Sequence, residues 1–143
     1  MDTPEIIAAR LADLIANRFN ADQRMLVALA GPPGAGKSTV ADALVSLLNA
    51  RLKDQPAEAV PMDGFHYDNA ILDARGLRAR KGAPETFDAS GFLALLERLR
   101  HARDDVAIPV FDRSIDLSRA SARIIAPKHR ILVIEGNYLL LDQ

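Results

Sequence analysis

The feature that most constrains this chain is the run MLVALAGPPGAGKSTVADALVSLL, Met25 to Leu48. The apolar stretch Met25–Ala30 suits a strand buried on both faces. It breaks into a turn of glycine and proline, after which Val40, Leu44, Leu47, Leu48 and Leu52 recur at helical spacing. A glycine-rich turn between a strand and a helix can aim several backbone N–H groups and the positive end of the helix at one point. Gly31-Pro32-Pro33-Gly34-Ala35-Gly36-Lys37-Ser38 fits G-x-x-x-x-G-K-[ST] at every fixed position. The expectation is a phosphate cradle lined by Gly31, Pro33, Gly34, Ala35, Gly36, Lys37, Ser38 and Thr39. Lys37 supplies an ammonium for the outer phosphates, and the Ser38 hydroxyl can ligate Mg²⁺.

Around that core the chain alternates predicted helices and strands. Thr3, Pro4 and Glu5 form a helix-start signal, and Ile7, Leu11, Leu14, Ile15 and Phe19 mark the apolar face that follows. AEAVPMD reads as a second strand ending near Asp63. The segment from Gly64 to Asp88 shows little periodicity, and connections this long are usually functional. Ser90 is the expected cap of a helix carrying Phe92, Leu93, Leu96 and Leu99. VAIPVF, Val106–Phe111, reads as a third strand, with Pro109 signalling a bulge or an edge. ILVI, Ile131–Ile134, is a buried strand that turns polar at Glu135. Strands alternating with helices imply an α/β fold with a mainly parallel sheet.

In an open parallel sheet, ligands sit outside the carboxyl ends of the strands. Two acids fall where apolar runs stop: Asp63 after AVPM and Glu135 after ILVI. A carboxylate there can accept the proton of an attacking hydroxyl or orient water on Mg²⁺. Glu135, at the end of a Walker B-like strand, suits the metal. Asp63, heading a long loop that could hold an acceptor, suits the base. The structural alternatives are a turn cap for Asp63 and a surface ion pair for Glu135.

From Asp63 the sequence reads DGFHYDNAILDARGLRARKGAPETFDASGF, followed in order by PVFDRS and ILVIEGNYLLL. This resembles the pantothenate kinase, uridine kinase and phosphoribulokinase group of P-loop small-molecule kinases. The likeness runs from Met25 to Asp142 and leans toward bacterial pantothenate-kinase-like proteins described as fructokinases of fructose transport loci. It implies a P-loop NTPase-type three-layer α/β/α fold and a single kinase domain over residues 1–143, with ATP and Mg²⁺ as cofactors. It implies Asp63 as catalytic base beside Lys37, and Glu135 with Ser38 at the metal. Phe65, His66, Tyr67, Asn69, Arg80 and Lys81 would flank the acceptor, and Arg113 falls at an acceptor-binding position. Members of the group continue past the E-G segment into an arginine-bearing lid, so the C-terminal lid and last elements are expected to be missing here. Arg75, Arg78, Arg80 and Lys81 can equally be read as a solvated basic face, and Phe65 and Tyr67 as loop anchors.

The implied reaction is transfer of the γ-phosphate of ATP to a hydroxyl of a small molecule. A sugar such as fructose ranks first, with pantothenate or a nucleoside behind. A nucleotide-dependent regulatory ATPase or switch is the reading from another class, although no N-K-x-D guanine segment is present; a non-catalytic nucleotide-binding remnant is a third. With 49% apolar and 26% charged residues and a net charge of −1, the chain carries no electrostatic footprint for nucleic acid or anionic membrane. It has no cysteine, no apolar run near the roughly 18 residues of a membrane span, and an N-terminus that reads as a helix rather than a signal peptide. A small-molecule partner and a cytoplasmic location are the default expectations, with a homodimer left open. His66 has no partner at metal-ligand spacing, His101 ends a helix where a cation suits the dipole, and His129 sits between Lys128 and Arg130, so none of the three histidines is assigned to a metal.

Overall fold

A computed structural model describes residues 2–30 and 37–136, the side chains of Lys37 and Ser38 excepted. The elements are helices α1 (Pro4–Arg18), α2 (Lys37–Arg51), α3 (Asn69–Ala74) and α4 (Ala89–His101). The strands are β1 (Met25–Ala30), β2 (Ala57–Pro61), β3 (Val106–Asp112), β4 (Leu117–Ile125) and β5 (Ile131–Gly136). The chain divides into two compact units, one of residues 1–60 with 126–143 and one of residues 61–125.

The first unit is a three-stranded sheet of order β1-β5-β2 with α1 and α2 packed against it. Among the described strands of this sheet β5 is the central one, and every one of its residues is buried. β1 runs parallel to β5, as an α/β fold requires. Ile131 and Val133 of β5 meet Val40, Ala41, Leu44 and Leu48 of α2 in one apolar cluster. Asn49 ties α2 to the start of β2, donating from Nδ2 to the Ala57 carbonyl (3.0 Å) and accepting at Oδ1 from the Ala57 amide (2.8 Å). At the amino end of the sheet, Arg24 donates to the carbonyls of His129 (2.8 Å) and Ala126 (2.9 Å) and holds the turn before β5. Burial, and next the like charge of Arg130, lower the pKa of Arg24.

α1 begins as its sequence predicts, with Thr3 Oγ1 accepting from the Ile6 amide and Pro4 in the first turn. Its buried face is different. Ala8, Ala12 and Ile15 are buried, whereas Ile7 and Leu14 are exposed. Small side chains let α1 approach α2 closely at Ala41, and close approach outweighs the larger apolar residues available on the neighbouring stripe. For the same reason Leu47 of α2 is exposed while Ala41 is buried. β1 is also less buried than its composition suggests. Met25, Val27 and Leu29 pack on the helices, while Ala28 and Ala30 stay exposed.

The second unit joins an antiparallel hairpin, β3–β4, to α4 and a 3-10 turn at Met62–Phe65. The hairpin register pairs Val106 with Ile125 and Asp112 with Leu117, and shifts between Ile108 and Val110, where Pro109 cannot donate to the ladder. β4 carries no strand signal in its sequence, LSRASARII, because only Ile125 of it is buried. α4 is capped by Asp88, not Ser90. The Asp88 carboxylate accepts from the Gly91 amide at 3.0 Å, and Ser90 lies inside the first turn. Its buried face is Phe92, Leu95 and Leu99, with Leu93 exposed. The stretch 64–88 is more structured than its missing periodicity implies, since it holds α3 and two 3-10 turns. α3 has one buried residue, Leu72, which is too little to register as a pattern.

The alanine seam gives a direct test. Ala8→Leu should lower the unfolding free energy by about 1–3 kcal/mol through overpacking, while Leu14→Gln should change it by less than about 0.5 kcal/mol. Urea titration of both variants checks this, and the opposite ranking would refute the packing of α1 through its alanines.

Candidate active site

The first unit supplies the phosphate end. β1 stops at Ala30 and α2 starts at Lys37, with Lys37–Thr39 forming its first turn. Gly31, Pro33, Gly34, Ala35 and Gly36 lie outside the described residues, as do the side chains of Lys37 and Ser38; Thr39 is exposed. The β1–β5 register fixes Glu135 opposite Leu29 and Gly136 opposite Ala30. Glu135 therefore stands beside the strand end from which the glycine-rich segment departs. It is 9% exposed, an unusual place for a carboxylate in a strand otherwise wholly apolar. A hard oxygen ligand at this position has the chemistry that a magnesium ion or its water shell takes. Among the described residues no group of three or more His, Asp or Glu side chains forms a metal cage by itself, and Mg²⁺ bound with nucleotide phosphates needs none.

The second unit supplies a carboxylate and its surroundings. Asp63 lies in the 3-10 turn two residues after β2, with its side chain 33% exposed. The following glycine explains how the turn is held. A Cβ on Gly64 would stand 2.4 Å from the Pro109 carbonyl oxygen, so only glycine lets the turn lie against β3. Ser118 Oγ of β4 donates to the Gly64 carbonyl at 2.7 Å. The Asp63 carbonyl accepts from the His66 amide (3.2 Å) and lies 2.7 Å from His66 Nδ1. A carbonyl only accepts, so Nδ1 carries the hydrogen. The His66 ring sits between Phe87 (4.1 Å) and Phe111 (4.5 Å).

Arg113 reaches Asp63 from the turn between β3 and β4, with Nη2 3.9 Å from Oδ2. That is an ion-pair separation, too long for a hydrogen bond. The guanidinium is 82% exposed, and the turn presenting it is braced by Asp112. Asp112 Oδ1 accepts from the Ser114 hydroxyl (2.6 Å) and amide (3.0 Å), and its Oδ2 lies 3.2 Å from Arg119 Nε. These hydrogen bonds, led by the Ser114 hydroxyl and helped by Arg119, hold the Asp112 carboxyl below its ordinary pKa.

The remaining candidates divide. Phe65 packs its ring on Phe92 (5.2 Å) and its carbonyl accepts from the Asp88 amide. Tyr67 lies under the Arg75 guanidinium at 4.7 Å. Arg80 pairs with Glu85 at 2.5 Å. Asn69 and Lys81 meet, with Lys81 Nζ donating to Asn69 Oδ1 at 2.7 Å. So Asp63, His66 and Arg113 come together around one turn, Asn69 pairs with Lys81, and Phe65, Tyr67 and Arg80 each have local partners. Sequence reasoning passed over Gly64, Asp112, Ser114, Ser118 and the buried Thr86, whose Oγ1 donates to the Ala83 carbonyl at 2.7 Å and accepts from the Gly82 amide. Only the D-x-S spacing of Asp112 and Ser114 carried a readable signal, that of a side chain bonding the amide two residues on.

A sheet in which the strand preceding a phosphate-binding sequence motif pairs with an acid-ended β5, together with an acid-headed loop after β2, defines a class of P-loop α/β proteins. Residues 26–143 match the model of the Phosphoribulokinase / Uridine kinase family, and the chain belongs to that family. The "putative uridine kinase" of Schizosaccharomyces pombe is 40% identical over 126 residues, covering 85% of this chain and 54% of that protein. A pantothenate kinase of Limosilactobacillus fermentum is 36% identical over 112 residues, covering 78% of this chain and 36% of that one. The crystal structure of a "putative fructose transport system kinase" from Silicibacter sp. TM1040 superposes with a TM-score of 0.84 at 48% identity, over 95% of this chain and 66% of that one. The chain spans about half the length of the first of these curated relatives and about a third of the second.

Two outcomes test this geometry. Gly64→Ala should cost about 1–3 kcal/mol, because the added Cβ must push backbone rather than a flexible side chain; an unchanged denaturation midpoint would disprove the close approach. Asp112 titrates lower when folded, so its contribution is present above its unfolded value of 3.8 and is lost as pH falls through the folded one. Asp112→Asn should therefore be less stable than the parent protein at pH 7, and the gap should close below pH 3.8. A gap that persists there in thermal melts contradicts the assignment.

Proposed function

We propose that this chain is the nucleotide-binding and acceptor-activating part of an ATP-dependent phosphotransferase acting on a hydroxyl of a small molecule, a sugar such as fructose in the first place. The observation that carries the reading is Asp63. A partly exposed carboxylate heads the loop after β2, its main chain is clamped by Gly64 and Ser118, and an exposed guanidinium stands beside it. Phosphoryl transfer asks the protein mainly to position groups and to offset charge. Asp63 takes the proton of the acceptor hydroxyl as its oxygen bonds to the γ-phosphorus, and the bond to the β–γ bridging oxygen breaks to release ADP. The backbone of Gly31–Gly36 and the Lys37 ammonium cradle the phosphates. Ser38 and Glu135 hold Mg²⁺, which when bound offsets charge on the phosphate oxygens. Arg113 and His66 Nε2 face the acceptor, with Asn69 and Phe65, Tyr67, Arg80 and Lys81 shaping its surroundings.

The sugar preference is supported by the likeness to the Silicibacter protein and by the DGFH and FDRS segments. Pantothenate and nucleosides are the next acceptors to try, given the names of the other relatives. No candidate membrane-spanning helix occurs among the described residues, and a cytoplasmic protein taking a soluble acceptor is consistent with that.

Asp63→Asn in the full-length protein should leave ATP binding nearly unchanged while transfer falls by about 10²–10⁴-fold. Nucleotide titration calorimetry and ADP release with fructose, uridine and pantothenate measure the two quantities. Undiminished transfer would remove Asp63 as the base; hydrolysis stimulated by a macromolecule but by none of these acceptors would favour a regulatory ATPase.

A further inference from the structure

Lys81 differs from the other cations of the segment 75–81. Its side chain is 13% exposed, and an ammonium so far out of water is tolerated when its N–H groups find acceptors. Nζ donates to Asn69 Oδ1 at 2.7 Å and to the Asp116 carbonyl at 2.5 Å, and lies 3.1 Å from Asp116 Oδ2. An ammonium has three donors, so these three oxygens use them all. The Phe111 ring covers the charge at 5.4 Å. These contacts join the first residue of α3, the end of the Arg78–Arg80 turn and the last residue of the β3–β4 turn. Asp116 has φ of +54°, a region that residues other than glycine seldom occupy. Lys81 grips it by both its carbonyl and its carboxylate.

The turn so held, residues 113–116, carries Arg113. Two residues beyond Asp116, Ser118 bonds the Gly64 carbonyl next to Asp63. Asp63 and Arg113 are thus mounted on one assembly, and Lys81 fixes the turn that closes it. We infer that Lys81 is a positioning residue. It spends its hydrogen bonds on the protein rather than on the acceptor, and acts by holding the 113–116 turn so that the Arg113 guanidinium stands at Asp63. This rests on the roles proposed above for Asp63 and Arg113, and it moves Lys81 from the acceptor's surroundings to the frame behind them.

Lys81→Met keeps the stem and removes the donors. In the full-length protein with ATP and fructose, uridine or pantothenate, it should lower kcat/KM about tenfold, but less than about twofold when Arg113 is already alanine. Equal losses in both backgrounds would overturn the inference, because a lysine touching the acceptor or merely stabilising the fold would not act through Arg113. Independently of activity, the amides of Ser114 and Ile115, which bond to Asp112, should exchange with deuterium about tenfold faster in Lys81→Met while those of α4 keep their protection. Unchanged exchange at the turn also overturns it. If Lys81→Met fails to fold, Asp116→Asn weakens the same grip with Lys81 in place and goes through the same two measurements. Should the parent protein transfer phosphate to none of the acceptors, the kinase reading fails while the exchange measurement still decides the brace.

Discussion

The parallel pairing of β1 with β5 is the constraint on which the phosphate end of this molecule depends. Because Ala30 pairs with Gly136 and Leu29 with Glu135, the glycine-rich segment must leave the sheet beside a buried carboxylate, whatever its own conformation. A one-residue slip would reverse the faces of β5. Ile131 and Val133 would leave the α1–α2 cluster, and Glu135, on the same face of the strand, would turn away with them. The burial of Ile131 and Val133 against Leu44, Leu48 and the alanine seam locks the register, and the register in turn places the acid. Core packing and site geometry are therefore one constraint here.

In the second unit the corresponding constraint is the approach of Gly64 to Pro109. Proline leaves the hairpin ladder without a donor and shifts its register there, and its carbonyl is the atom that Gly64 lies against. A side chain at 64 would lift the 3-10 turn from β3 and loosen the hydrogen bond from Ser118. Asp63 owes its place to the residue beside it. The D-G pair at the head of this loop thus has a mechanical explanation: the glycine lets the acid be held.

These examples show what could be read from the sequence and what could not. The strand and helix around GPPGAGKST, the cap at Thr3, the bulge at Pro109 and the acids ending strands were legible, because each follows from local chemistry or apolar periodicity. The face of α1 was not, because whether Ala8 or Ile7 is buried depends on the shape of α2. β4 escaped because an exposed strand of serines, alanines and arginines has no apolar signature. The Asp88 cap was mistaken for Ser90 because both are good caps two positions apart, and Phe65 decides between them by accepting from the Asp88 amide. For the candidate site, the acids could be named in advance, but the support behind them could not, since Ser118 and Gly64 are 54 residues apart.

The basic stretch ARGLRARK shows the same limit most clearly, because in sequence its cations look alike. In the structure Arg75 lies on Tyr67, Arg78 pairs with Asp73 at 2.8 Å and Arg80 with Glu85, all with exposed guanidinium groups or partners. Exposed pairs of this kind contribute at most about 1 kcal/mol each and are screened by salt, so Arg75 and Arg78 fit the solvated basic face that the charge run suggested, while Arg80 is held beside Glu85. Lys81 differs in being largely withdrawn from water, with its donors taken by oxygen acceptors beneath the Phe111 ring. Arg113, far along the chain, keeps its guanidinium 82% exposed and stands 3.9 Å from Asp63 without a hydrogen bond to it. Charge alone could not separate a surface from a frame from a site. The separation comes from how much water each cation retains and how many of its donors the protein has already used.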